Sequence, residues 1–188
     1  MAGSSFPRVS QLKRGYHPHQ VDEFMARAKR EYAKADKDRG GKVAAFDDAA
    51  VRRVAFKLVR GGYDPHAVDR ALDRLEAAFI HRERAQVIAE QGEKVWLEAV
   101  YSAARSLYPR MKRPHGRRFS GATGRGYHKG EVDQMIDKAS RYFSGKGDLS
   151  VDEIRACAFS SAKGTDAYDE AVVDAYLDRL VGILLAVD

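Results

Sequence analysis

A chain of 188 residues, 44% hydrophobic and 32% charged, has material for one sizeable domain or two small ones and reads as a soluble protein rich in charged helices. Its single cysteine, Cys157, excludes an intrachain disulfide framework and suits a reducing compartment. A formal charge of +6 favours anionic partners, and no apolar run approaches the ~20 residues that span a bilayer.

The first residues, Met1 to Val9, lack the apolar core of a signal peptide, so the expected location is cytoplasmic. The segment from Lys37 to Lys42, with Gly40-Gly41, reads as a loop, and Asp47 or Asp48 as the cap of a helix that follows. From Pro65 to about Tyr108, Val68, Leu72, Leu75, Phe79, Val87, Trp96, Val100, Ala104 and Leu107 recur at helix-like intervals. This predicts a long central helix, interrupted at most at Gly92, with the length of a coiled-coil arm. Between Ala99 and Gly130 stand eight Lys or Arg residues and no acid; Arg110, Lys112, Arg113, Arg117, Arg118 and Arg125 are candidates, with Arg14, for binding anions or partners. Prolines and glycines give the second part of that segment the character of a linker. Ser144 to Asp148 reads as a second loop, with Ser150 as the next cap.

The strongest signal is internal repetition. Four segments align without gaps: Gly15-Tyr16-His-Pro-His-Gln-Val21-Asp22, Gly62-Tyr63-Asp-Pro-His-Ala-Val68-Asp69, Gly126-Tyr127-His-Lys-Gly-Glu-Val132-Asp133 and Ala167-Tyr168-Asp-Glu-Ala-Val-Val173-Asp174. With Asp64 as N-cap and Pro65 as the first helical residue, orphan amides are satisfied and no needed hydrogen bond is lost. Tyr63 then precedes the cap and Val68 is fourth in the helix, the relation of a hydrophobic staple. The same relation joins Tyr16 to Val21, Tyr127 to Val132 and Tyr168 to Val173. Gly62 fits a left-handed residue ending a preceding helix. The recurrent acids Asp22, Asp69, Asp133 and Asp174 gain from the helix dipole, and could reach the turn backbone or an arginine such as Arg52 or Arg155. A residue present in every copy belongs to a shared scaffold.

The copies also pair. Phe24-Met25 and Ala28 match Met135-Ile136 and Ala139; Val51-Arg-Arg-Val-Ala-Phe56 matches Ile154-Arg-Ala-Cys-Ala-Phe159. The expectation is an all-α protein of tandem helix-turn-helix hairpins in two duplicated halves. Residues 1–95 form a first two-motif unit (motifs at 15–28 and 56–80). Residues 96–114 are a helix end and basic linker, and 115–188 a second unit (motifs at 126–140 and 167–184).

No nucleotide loop, metal-binding helix motif or nucleophile elbow occurs, and Gly121-Ala-Thr-Gly-Arg-Gly126 follows no strand. His17, His19, His66 and His128 lie in motif turns, but the fourth copy has no histidine, so no metal or cofactor is expected.

The motifs resemble the DivIVA-type domain of bacterial cell division and polar growth. Its signature is an aromatic, then about six residues to Arg-Gly-Tyr-Asp, then Val-Asp-x-Phe-Leu. Phe56, Gly62-Tyr63-Asp64, Val68-Asp69 and Leu72, with Arg14-Gly15-Tyr16, Val21-Asp22 and Phe24-Met25, carry the match. The resemblance implies a short helix and turn leading to a coiled coil, self-association, and recruitment of partner proteins at curved membrane. Two departures stand out. No extended heptad tail follows the motifs. In the first three copies Lys13, Arg60 and Gly124 occupy the place of the family's membrane-inserting aromatic. The expected function is therefore a non-enzymatic helical adaptor that binds proteins and forms homo-oligomers. The alternative is a nucleic-acid binder using the basic 105–129 segment, and contact with an anionic membrane surface is a further expectation.

Overall fold

The computed structural model describes residues 6–35 and 46–187, so the loop expected at 37–42 lies outside the described residues. Two compact units emerge, Met1–Glu83 and Arg84–Asp188.

In the first unit, strand β1 (Arg14–Tyr16) leads into helix α1 (Pro18–Ala35). Helix α2 (Asp48–Arg52) starts at Asp47, whose side chain accepts the Ala50 amide at 2.8 Å. Strand β2 (Leu58–Arg60) follows, then helix α3 (Pro65–Gln91), along which the chain passes into the second unit. Strands β1 and β2 are antiparallel with Arg14 opposite Arg60, Gly15 opposite Val59 and Tyr16 opposite Leu58. Val21, Val68 and Tyr63 form one part of the core; Ala28, Phe46, Val51 and Phe79 form another. At its edge the guanidinium of Arg52 bridges Asp48 and the buried Glu76 at 2.7 and 2.8 Å.

In the second unit, α4 (Glu93–Arg105) and α5 (Tyr108–Met111) precede β3 (Arg125–His128) and α6 (Lys129–Phe143). Then come α7 (Val151–Arg155), capped by Ser150, β4 (Ser161–Lys163), a 3₁₀ turn (Gly164–Asp166), β5 (Ala167–Tyr168) and α8 (Glu170–Val187). Strand β3 lies between β4 and β5, antiparallel to both. Helix α8 is the centre of this unit: residues from Val173 to Ala186 are buried on several of its faces, as expected of a helix surrounded by protein. Trp96 of α4 donates its indole N–H to Ala186 at 3.1 Å, and Tyr176 of α8 its hydroxyl to Leu107 at 3.0 Å.

The protein is predominantly helical, but two small antiparallel sheets correct the all-α expectation. The residues leading into the motif helices are extended because their amides and carbonyls pair with another motif rather than closing a turn. The central helix is two helices, because Gly92 adopts φ 90° and ends α3. The division expected near residue 95 falls at Glu83–Arg84 instead. Residues 96–114 belong to the second unit, since Trp96, Val100, Ala104, Leu107 and Met111 are all buried there.

Candidate functional site

The caps follow the sequence reading. The Asp64 carboxylate accepts the His66 amide at 3.2 Å and Asp169 accepts that of Val172 at 3.2 Å, while Val21, Val68, Val132 and Val173 are fully buried. What organises the four motifs is how they meet.

Within each unit the two motif tyrosines stand directly opposite one another on an antiparallel ladder. Tyr16 and Tyr63 exchange amide and carbonyl bonds of 2.9 and 2.8 Å, and Tyr127 is opposite Tyr168. An approximate two-fold relation therefore passes between them, and every other contact is crossed. The phenylalanine ahead of each motif packs on the tyrosine of its sister: Phe6 on Tyr63, Phe56 on Tyr16, Phe119 on Tyr168 and Phe159 on Tyr127, with ring centroids 5.2–5.5 Å apart. The carbonyl of the next residue accepts the amide of the sister's cap. Pro7 takes Asp64, Lys57 takes His17, Ser120 takes Asp169 and Ser160 takes His128, at 2.8–2.9 Å.

The recurrent aspartate completes the crossing. Tyr63 donates its hydroxyl to Asp22 at 3.1 Å, Tyr168 to Asp133 at 3.1 Å, Tyr127 to Asp174 at 3.5 Å, and Tyr16 to Asp69. Burial and the facing carboxylate raise all four phenols, that of Tyr127 to about 12. Burial likewise raises the Asp69 carboxyl, against the hydrogen bond from Tyr16. Arg52, one of the arginines that the sequence offered to these acids, instead bridges Asp48 and Glu76.

The motif glycines serve this crossing. Gly62 does not have a positive φ, which corrects its reading as a left-handed cap; the left-handed residue is Gly61, at φ 63°. A Cβ on Gly15 would run into the Tyr63 carbonyl, on Gly62 into the carbonyls of Gly15 and Tyr16, and on Gly126 into that of Tyr168. Glycine permits the close approach of two backbones. The fourth copy keeps Ala167, buried in extended conformation at φ −109°.

The basic candidates separate. Arg118, 4% exposed, is not available to an anion. Its guanidinium holds Asp137 at 2.5 Å and the Asp133 carbonyl at 2.7 Å, and its amide donates to the Tyr168 hydroxyl at 3.0 Å. Arg110 and Arg113 each donate to the Arg118 carbonyl at 3.2 Å, and Arg110 also lies over Phe119. The 105–129 segment is thus folded against the second unit around a buried arginine. Lys112, Arg113, Arg117, Arg125 and Arg14 are exposed.

Two of these cations stand opposite a second cation that no sequence signal singles out. Arg14 stands opposite Arg60 on β1–β2, and Arg125 opposite Lys163 on β3–β4, all four exposed. Each of Arg60 and Lys163 is followed by a left-handed glycine, Gly61 at φ 63° and Gly164 at φ 61°. Like charges directly opposite destabilise a strand pair.

Among the described residues, no group of three or more His, Cys, Asp or Glu is placed to hold a metal ion, and no helix is long and apolar enough to cross a membrane. No family model matches the chain, and neither a curated protein nor a solved structure matches it.

Proposed function

We propose that the protein is a non-enzymatic, DivIVA-like scaffold whose paired motifs build a frame and whose opposed cations engage acidic surfaces of partner proteins. The observation that carries this reading is the crossed pairing itself. It occupies the repeated tyrosines, valines and aspartates with one another, and leaves Arg14/Arg60 and Arg125/Lys163 exposed at matching places. Shared strand register in the two units supports duplication of a two-motif ancestor, with Gly15 opposite Val59 and Gly126 opposite Ala162. Cytoplasmic location, self-association and a role in division or polar growth belong to the same reading, and rest on the motif resemblance.

The test compares the wild-type chain with Arg14→Glu/Arg60→Glu/Arg125→Glu/Lys163→Glu in pull-downs from native lysate at low and raised salt, alongside mass by light scattering. Protein partners retained by wild type, released by salt and absent with the variant fit the proposal. Recovery of nucleic acid that depends on Lys112, Arg113 and Arg117 would transfer the function to the basic segment. A monomer that retains nothing would remove the scaffold reading.

A further inference from the structure

The two pairs of opposed cations occupy the same place in the hydrogen-bond pattern of their ladders. In the first unit the Lys13 carbonyl accepts the Gly61 amide at 3.0 Å, and the Lys57 carbonyl accepts that of His17 at 2.8 Å. Counting by twos along the register makes Arg14 and Arg60 a non-hydrogen-bonded pair. The bond from the His128 amide to the Ser160 carbonyl, 2.9 Å, fixes the same parity for Arg125 and Lys163. Partners of this kind approach most closely, with Cα atoms about 4.5 Å apart and side chains on one face. Among the described residues, none of the four cations has an ion-pair partner.

Each pair also borders an open strand edge. Among the described residues β2 has β1 as its one neighbour, and β4 is the outer strand beside β3. By the same parity, the backbone amides and carbonyls of Arg60 and Lys163 point away from the ladder, toward that edge. A cation on an edge strand guards against unwanted strand pairing. That accounts for Arg60 and Lys163. It does not account for Arg14 and Arg125, which stand on β1 and β3, one strand in from the edge.

We propose that each open edge takes up an extended, phosphorylated segment of a partner protein whose phosphoryl group is held by the neighbouring cation pair, an inference that rests on the scaffold reading above. A residue added opposite Arg60 as a further strand projects on the face that carries Arg60 and Arg14, in line with both. A phosphomonoester has about two negative charges at pH 7 and several acceptor oxygens, so a single group answers two cations. A carboxylate leaves one of the two uncompensated. Holding the phosphoryl group also relieves the repulsion between opposed like charges.

The experiment measures the anisotropy of a rhodamine-labelled peptide, Gly-Val-Thr-phosphoserine-Val-Thr-Gly, with the full-length protein. The same peptide carrying glutamate is compared with it. The phosphopeptide is expected to bind roughly tenfold more tightly than the glutamate peptide. Arg14→Gln/Arg125→Gln, which leaves both edge cations in place, should weaken it roughly tenfold, while the thermal midpoint rises or stays unchanged. Equal affinity for phosphoserine and glutamate would overturn this inference and leave the acidic-surface reading standing. Displacement of the peptide by an equal concentration of inorganic phosphate would overturn it as well, since the strand edge then contributes nothing. A double variant that binds like wild type would assign the edge cations to protection against strand pairing. The lysate pull-down judges the scaffold reading independently of these peptides.

Discussion

The hydroxyl of Tyr63 lies 3.1 Å from the carboxylate of Asp22, a residue of the other motif 41 positions earlier in the chain. Capping and stapling explain the local turn, but they leave the far end of the tyrosine and the recurrent acid without a purpose. The pairing gives both one: each motif supplies the acid and the aromatic that hold its sister's tyrosine. Neither motif of a pair completes its own contacts.

Removing a hydroxyl should therefore cost most where the crossing is most deeply buried. Tyr168 is fully buried, accepts the Arg118 amide and donates to Asp133, itself 2% exposed. Tyr168→Phe orphans that amide and withdraws a donor from a buried carboxylate, so a loss of about 1–3 kcal/mol is expected in urea unfolding. Tyr127→Phe removes a 3.5 Å bond to an exposed acid and should stay within about 0.5 kcal/mol. Equal losses would show that the crossed hydrogen bonds do not set stability.

Two glycines two residues apart provide a second comparison. Gly126→Ala places a methyl group against the Tyr168 carbonyl and the Ala122 side chain, and should cost about 1–3 kcal/mol or more as the ladder shifts. At Gly124 an added Cβ meets nothing and φ is not positive, so Gly124→Ala should be neutral or stabilise by up to about 1 kcal/mol. Thermal midpoints that move together would refute close approach as the reason for the motif glycine.

The capping residues and the buried valines were legible because each is a local or periodic signal. The sheets were not. Strands of two to four residues are too short to show alternation, and Gly-Tyr followed by a cap reads equally well as the end of a helix. Nor could the sequence tell Arg118 from Arg117. Both lie in one basic run, and only Asp133 and Asp137, brought up on α6, decide which is buried.

Tyr176 links stability to alkaline pH. Burial pushes its phenol up to about 12, from an ordinary value of 10.0, while Arg110 and Arg118 oppose the shift. A raised folded-state pKa means that the unfolded chain loses the proton first. The contribution is complete below about pH 10 and declines as pH rises through about 12. In urea titrations between these limits the advantage of wild type over Tyr176→Phe should narrow steadily. An advantage constant across that window would contradict the burial of the ionisable hydroxyl.

Arg118 and Arg117 test whether the basic segment is a binding surface or part of the fold. Arg118 is enclosed with Asp133 and Asp137, so Arg118→Met leaves carboxylates without their cation and should cost about 3–5 kcal/mol. The exposed Arg117→Met should change stability by no more than about 0.5 kcal/mol. Acid titration adds a second readout. Burial alone would raise the Asp137 carboxyl, but the Arg118 guanidinium, aided by His115, holds it below its ordinary 3.8. A lowered folded-state pKa stabilises above the unfolded value, and that contribution disappears as pH falls through the folded one. Wild type should consequently lose more stability than Arg118→Met as pH drops below 3.8. If the two arginine variants instead unfold alike at neutral pH, and differ only in retaining a polyanion, the segment acts as a surface and the buried ion cluster is not what holds it.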